Sequence, residues 1–308
     1  LSNAALPALG QLTQLLHLDL GYCAFTGSAL RKEVTAHLTR LQHLVLSGTE
    51  HDEDRDVASL LAPLKRLHAF SLASAQGRLG WATEICLPNL VRLDVAHSHL
   101  SDRAVQTLAC FSSLTQLDLA GSHVSNGALE ELNHLPLRVL HLSNCYHITN
   151  DACSTIADQF CETLTDLNLS GCELVTDSGI AFLGGLSRLA KLGLHGLKAL
   201  TSHGLQKARW KSLTELDIGA TEVDGDVLKH ASLAHLLALD VSECAKFKSF
   251  KYLPLIRGLR QLNVSGTKGI TNQSMKIIAG LLDLISLKLC NCEDITDPGF
   301  MYLVSLLN

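Results

Sequence analysis

A chain of 308 residues that is 47% hydrophobic can bury a large core, but only 5% of it is aromatic, which suits many thin leucine layers rather than one thick core. The formal charge of −5 has the wrong sign for a surface built around phosphate backbones, and no apolar run reaches the ~18 residues of a membrane span. No nucleotide-loop, zinc-protease or hydrolase fingerprint occurs, so the sequence predicts neither an enzyme nor a nucleic-acid or membrane protein, and it implies no cofactor and no metal.

The chain opens on "LSNAAL", which reads as the start of a helix. A unit written LxxLxLxxC then follows and returns along the whole length. Its copies are "LLHLDLGYC" from Leu15, "LQHLVLSGT" from Leu41, "LHAFSLASA" from Leu67 and "LVRLDVAHS" from Leu90. Next come "LTQLDLAGS" from Leu114, "LRVLHLSNC" from Leu137, "LTDLNLSGC" from Leu164 and "LAKLGLHGL" from Leu189. The series closes with "LTELDIGAT" from Leu213, "LLALDVSEC" from Leu236, "LRQLNVSGT" from Leu259 and "LISLKLCNC" from Leu284. Twelve copies spaced 23 to 27 residues apart are the signature of a leucine-rich-repeat solenoid.

The stretch "LTDLNLSGCELVTDSGIAFL", residues 164–183, shows what one unit is expected to do. In LxL the side chains alternate as in a strand, so Leu167 and Leu169 face the interior while Asn168 faces out. Cys172 is a small side chain with a weak S–H donor inside the turn that leaves the strand. Val175 is buried, Thr176 caps a helix, and Asp177 places negative charge at the favourable end of the helix dipole. Ile180, Phe182 and Leu183 form the inward helix face. The phrase recurs as "FTGSAL", "LSDRAV", "VSNGAL", "ITNDAC", "LTSHGL", "VDGDVL", "ITNQSM" and "ITDPGF". The predicted fold is therefore α/β: a right-handed horseshoe solenoid with a parallel concave sheet of about twelve strands and helices on the convex side. Residues 1–308 form a single repeat domain that begins in mid-repeat, since no strand precedes "LSNAAL" and no polar cap follows "FMYLVSLLN". The expectation is a fragment of a longer protein.

The cysteine at the ninth position followed by (I/V/L)-T-(D/N), clearest in "LSNCYHITNDAC", "LSGCELVTDSGI" and "LCNCEDITDPGF", resembles the cysteine-containing leucine-rich repeats. "LASAQGRLGWATEIC" and "VSECAKFKSFKYL" depart from that phrase. The resemblance implies recognition: the substrate-binding arm of an F-box-type ubiquitin ligase, joined to its adaptor through a segment preceding residue 1. It equally implies an architectural subunit of a ciliary, flagellar or cytoskeletal assembly. The ten cysteines include no CxxC pair, and five occupy the ninth position, so free thiols in a reducing, cytoplasmic setting are expected, with the nucleus or a cilium as alternatives. Glycosylation sequons at Asn168 and Asn263 fall on strands, and a third lies at Asn272; with no cysteine-rich caps, an extracellular setting is disfavoured.

A protein partner is expected on the concave face, whose outward residues are readable from the repeat. Asp94 and Asp118 fall on adjacent strands, as do Asp217 and Asp240 with Glu215 alongside; Arg92 and His141 share the face. Adjacent carboxylates repel and favour a cationic partner, although a hydrated acidic surface explains each residue equally well. His99, His123 and Tyr146 follow the ninth position in consecutive units, with His97 nearby; this ridge suits partner contact, ordinary surface or, less well, a metal. "EHDEDRD" at Glu50–Asp56 lacks the glycine and terminal glutamate of a calcium loop. In "KFKSFKY" the repeat frame makes Phe247 core, and Trp210 is expected exposed on the convex side as a second contact point.

Overall fold

The computed structural model describes residues 2–49, 54–74, 85, 87–98, 100–108 and 110–307. Three-residue strands form at each LxL: β1 His17–Asp19, β2 His43–Val45, β3 Ala69–Ser71, β4 Arg92–Asp94, β5 Gln116–Asp118 and β6 Val139–His141. They continue as β7 Asp166–Asn168, β8 Lys191–Gly193, β9 Glu215–Asp217, β10 Ala238–Asp240, β11 Gln261–Asn263 and β12 Ser286–Lys288. The strands are parallel and follow chain order, β1 to β6 in one compact unit, Leu1–His147, and β7 to β12 in a second, Ile148–Asn308. Register is that of the repeat: Leu93 pairs with Leu117 and Asp94 with Asp118 in the first unit, Leu239 with Leu216 and Asp240 with Asp217 in the second.

The interior is a stack of leucine layers. Leu167, Leu169, Cys172 and Val175 are wholly buried, as are their counterparts Leu140, Leu142, Cys145 and Ile148. Burying one such leucine contributes about 1.5–3 kcal/mol, and only the neighbouring coil can supply the contact. Each strand ends in a turn whose eighth repeat position has φ between 52° and 74°, in all twelve copies. Gly171 and Gly121 adopt this left-handed conformation without cost, whereas Ala220, Glu243 and Tyr22 carry a Cβ into it.

In several coils the ninth position supplies a polar tie to the preceding coil, whereas Thr49 and Thr221 donate to Leu46 and Ile218 of their own coil. Cys145 Sγ donates to the Leu119 carbonyl at 3.2 Å, Cys244 to Ile218 at 3.0 Å, and Thr267 Oγ1 to Val241 at 2.8 Å. In each case the acceptor is the inner residue of the preceding coil. A thiol and a hydroxyl are thus interchangeable there because both are small donors.

Helices follow the turn: α1 Leu6–Gly10, α2 Gly27–Leu30, α3 Asp54–Leu61, α4 Asp102–Leu108, α5 Asn126–Glu130 and α6 Asn150–Phe160. Then come α7 Asp177–Leu183, α8 Ser202–Lys207, α9 Asn272–Ile278 and α10 Asp297–Met301. Two coils instead carry short 3₁₀ turns, Gly225–Lys229 in "VDGDVL", which was expected to be a capped helix, and Leu253–Leu255 after "KFKSFKY". The Thr-Asp phrase itself works between coils. Asn150 Oδ1 accepts from the Thr176 N–H at 2.9 Å and from the Gly179 N–H at 3.1 Å. Asp177 accepts in turn from the Thr201 N–H at 2.7 Å and hydroxyl at 2.6 Å, and Asn272 from the Thr296 N–H at 3.0 Å. The glycine of T-D-x-G makes room for this reach, because a Cβ on Gly179 would lie 2.5 Å from Asn150 Oδ1.

Three expectations change. Thr176 occupies the cap position of α7 but makes no side-chain bond to its own helix; its hydroxyl meets Asn150 instead. Phe182 is half exposed, since Ile180 and Leu183 already complete the inward face and the residue between points away. Trp210 is buried rather than exposed: α8 stops at Lys207, the chain folds back, and the indole Nε1–H donates at 2.9 Å to the Leu183 carbonyl at the end of α7, which also accepts from the Leu186 N–H at 3.1 Å. Phe247 is core, as expected.

Removing the inter-coil acceptor by Asn150→Ala, or filling its space by Gly179→Ala, should each lower unfolding free energy in urea by about 1–3 kcal/mol. Unchanged midpoints would show that the tie contributes nothing. Ala220→Gly should raise stability by up to about 1 kcal/mol, whereas Gly171→Ala should lower it, both read by the same titration.

Candidate functional site

The face of each unit opposite the leucine layers displays two side chains per strand. Seven of the twelve strands end on Asp or Asn, and the structure gives that residue a local task. Asp94 Oδ1 accepts from the Ala96 N–H at 3.2 Å, Asp118 from Ala120 at 3.0 Å, Asp217 from Gly219 at 2.9 Å and Asp240 from Ser242 at 2.9 Å. Asn168 and Asn263 make the same bond, to Ser170 and Ser265. The short polar side chain thus closes the turn that leaves the strand, and either a carboxylate or an amide serves.

The second oxygen is often occupied by a neighbouring strand. Ser71 Oγ donates to Asp94 Oδ2 at 2.8 Å, His141 Nδ1 lies 3.2 Å from Asp118 Oδ2, and Asn263 Nδ2 donates to Asp240 Oδ2 at 2.6 Å. Glu215 is paired with Lys191 at 2.8 Å. The carboxylates therefore face out as expected, but partly engaged.

Neighbours decide their acidity. For Asp118, burial works upward, yet hydrogen bonds from His141 and the Ala120 N–H, with the His141 and His97 charges, bring its pKa below the ordinary value. Asp217 goes the other way: burial raises it, the Gly219 N–H and His195 oppose, and the Asp240 carboxylate adds to the rise. Two aspartates at one repeat position thus differ because β6 offers a histidine and β10 a second carboxylate.

The expected lip ridge is only partly assembled. His97 occupies the left-handed eighth position and leans over Gly121, where a Cβ would come 2.3 Å from its Nδ1. His123 is exposed, and its ring lies 6.2 Å from that of His147 rather than stacking in line with Tyr146, which is itself 60% exposed. His99 lies outside the described residues, as does Glu50–Glu53 of the acidic loop. Among the described residues no three His, Cys, Asp or Glu side chains converge as a metal-binding group. The described cysteines are free, and burial pushes the thiols of Cys145 up to about 11 and Cys153 up to about 12, which makes them unreactive core.

One grouping was missed from sequence. On β1 and β2 the rings of His17 and His43 stack with centroids 4.2 Å apart, and beyond them Arg92 projects from β4. Burial and the neighbouring His17, His68 and Arg92 hold the His43 pKa below its ordinary value. Between them, β3 offers only Ala69 and Ser71, so a cleft of about 680 Å³ opens there. The signal was a pair of small residues in a row of large ones.

Residues 160–184 match the Leucine Rich repeat family model. No curated protein matches the chain. Solved structures similar to it include an internalin, inlF, from Listeria monocytogenes, at 20% identity over 99% of this chain and 92% of that one, with a TM-score of 0.61. The TLR13–ssRNA13 complex aligns at 21% identity and TM-score 0.66 over 91% of this chain, which spans 43% of the receptor's. Rad7, from the Rad7–Elc1 complex in yeast, aligns at 16% identity and TM-score 0.66 over 96% and 81%. At such identities the likeness is one of fold, and that fold is the leucine-rich-repeat solenoid. Among the described residues no helix is long and apolar enough to cross a membrane.

Replacing His141 with alanine should leave burial unopposed by its main partner and raise the Asp118 pKa, measured by carboxyl NMR. The sign follows: a depressed carboxyl stabilises the fold above its unfolded pKa, and that contribution is lost as pH falls through the folded value. An unmoved Asp118 would deny His141 its role.

Proposed function

We propose that this chain is a non-catalytic protein-recognition module, in which the outward residues of the concave strand face hold a protein partner. The observation that carries the reading is the division of labour from β1 to β11: the inner leucine or phenylalanine is buried, while the flanking pair, such as Arg92 and Asp94 or Glu215 and Asp217, remains accessible and changes from strand to strand. A long row of varied, rigidly spaced side chains suits a protein surface better than a small substrate. The contact set is Arg92, Asp94, Asp118 and His141 in the first unit, Glu215, Asp217 and Asp240 in the second, and His97, His99, His123 and Tyr146 at the lip.

Within a longer protein, the cysteine-and-threonine repeat phrase favours the substrate-recognition arm of an F-box-type ubiquitin ligase in the cytoplasm. A fold neighbour, Rad7, was crystallised with Elc1, which is consistent with a module built for protein partners. TLR13 was crystallised with single-stranded RNA, but the aspartate rows here oppose a phosphate backbone. The second reading, an architectural subunit of a ciliary or cytoskeletal assembly, rests on the same repeat phrase.

Affinity purification of the full-length protein separates the two: a ligase adaptor should co-purify, whereas stoichiometric structural subunits in its place would overturn the ligase reading. The quadruple change Asp94→Asn, Asp118→Asn, Asp217→Asn and Asp240→Asn retains the turn acceptor that Asn168 and Asn263 already provide. It should weaken the recovered partner about tenfold while the chain stays folded at the assay temperature, read by circular dichroism. Full affinity would move the interface off these rows.

A further inference from the structure

The open face of the first unit is uneven. β2 projects His43 and Val45, β4 projects Arg92 and Asp94, and β5 projects Gln116, whereas β3 between them projects only Ala69 and Ser71. The resulting cleft of about 680 Å³ is lined by these residues together with His68. Its two edges differ in what they leave available.

The Asp94 edge is closed on itself. Ser47 Oγ lies 2.7 Å from Ser71 Oγ, Ser71 donates to Asp94 Oδ2 at 2.8 Å, and the Ala96 N–H takes Oδ1. At the other edge the charge is unspent. Arg92 has no hydrogen bond or ion pair among the described residues, its guanidinium is permanently charged, and it carries five donors. His68 Nδ1 lies 2.7 Å from the Arg66 carbonyl oxygen, so that nitrogen carries the proton, and His43 is steadied by its stack on His17. A positive edge over an uncharged floor thus sits inside a chain of net charge −5.

We propose that this cleft anchors an acidic side chain, Asp or Glu, of an extended segment of the protein partner; the inference rests on the protein-recognition reading above. The carboxylate seats over Ala69 and Ser71 and accepts hydrogen bonds from Arg92, with His43 and His68 beside it. A fork of donors meeting a carboxylate is the strong, geometrically specific form of such a contact. A single carboxylate suits the site better than a polyanion. A phosphate strand laid across the face would meet Asp94 and Asp118 on one side of Arg92 and Asp19 beyond His43 on the other.

The test is selection of a random peptide library on the immobilised chain, followed by affinities of the selected peptides. Enrichment of one Asp or Glu position is expected. Affinity should fall about tenfold or more in Arg92→Ala and in Arg92→Gln, and also in Ala69→Trp, which fills the cleft, with melting curves matching the parent. Enrichment of Lys or Arg, or peptides indifferent to Arg92 and Ala69 changes, would overturn the proposal. So would a single-stranded RNA oligonucleotide that displaces the peptides and depends on Arg92. Peptides that ignore the cleft but lose affinity in Asp217→Asn and Asp240→Asn would sink the anchor while leaving protein recognition standing. Insensitivity to every open-face substitution would sink both.

Discussion

Each coil is too short to enclose its own leucines, and the structure follows from how neighbouring coils complete one another. Leu140 and Leu142, or Leu167 and Leu169, lose all exposure only because the coils beside them supply layers of the same shape. Apolar layers alone would tolerate sliding, since leucine against leucine has little directional preference. The polar ties remove that freedom. At Cys145, Cys244 and Thr267 a thiol or hydroxyl at the ninth position reaches the inner carbonyl of the preceding coil, and Asn150, Asp177 and Asn272, each opening a helix, reach the cap residue of the next. These bonds are directional and partly buried, so a slipped register would leave donors and acceptors unpaired.

That economy shapes the open face of the strands. The aspartates that look most available in sequence are turn-closing residues whose oxygens are largely engaged with backbone and neighbouring strands. Their charge still colours the face, but unevenly. Asp118 is held by a histidine, whereas Asp217 is pressed by a second carboxylate. An uncommitted charge belongs instead to Arg92, beside a cleft that exists because two small residues interrupt the row. Surface chemistry here depends on which side chains the scaffold has already used.

Several features were legible from residues alone because they depend on local order and period. The twelve strand positions, the inward leucines, the small donor at the ninth position, the core role of Phe247 and the stacking of Asp94 on Asp118 all follow from a repeat in constant register. The period did not reveal that "VDGDVL", which reads as a copy of the helix-start phrase, and "KFKSFKYL", which departs from it, form 3₁₀ turns rather than α-helix.

What only the tertiary structure decided are the relations between one coil and the next. Trp210 is buried because α8 ends early and its indole N–H finds an acceptor at the end of α7, a partner more than twenty residues away. Asp177 serves Thr201 rather than only its own helix dipole, and Gly179 is small because Asn150 passes beside it. The Arg92 cleft likewise depends on the absence of bulk on an adjacent strand. A period reveals which way a side chain faces. Whether a neighbour has already claimed its hydrogen bonds is a property of the assembled stack, and that assembly determined which residues of the face stay free to bind.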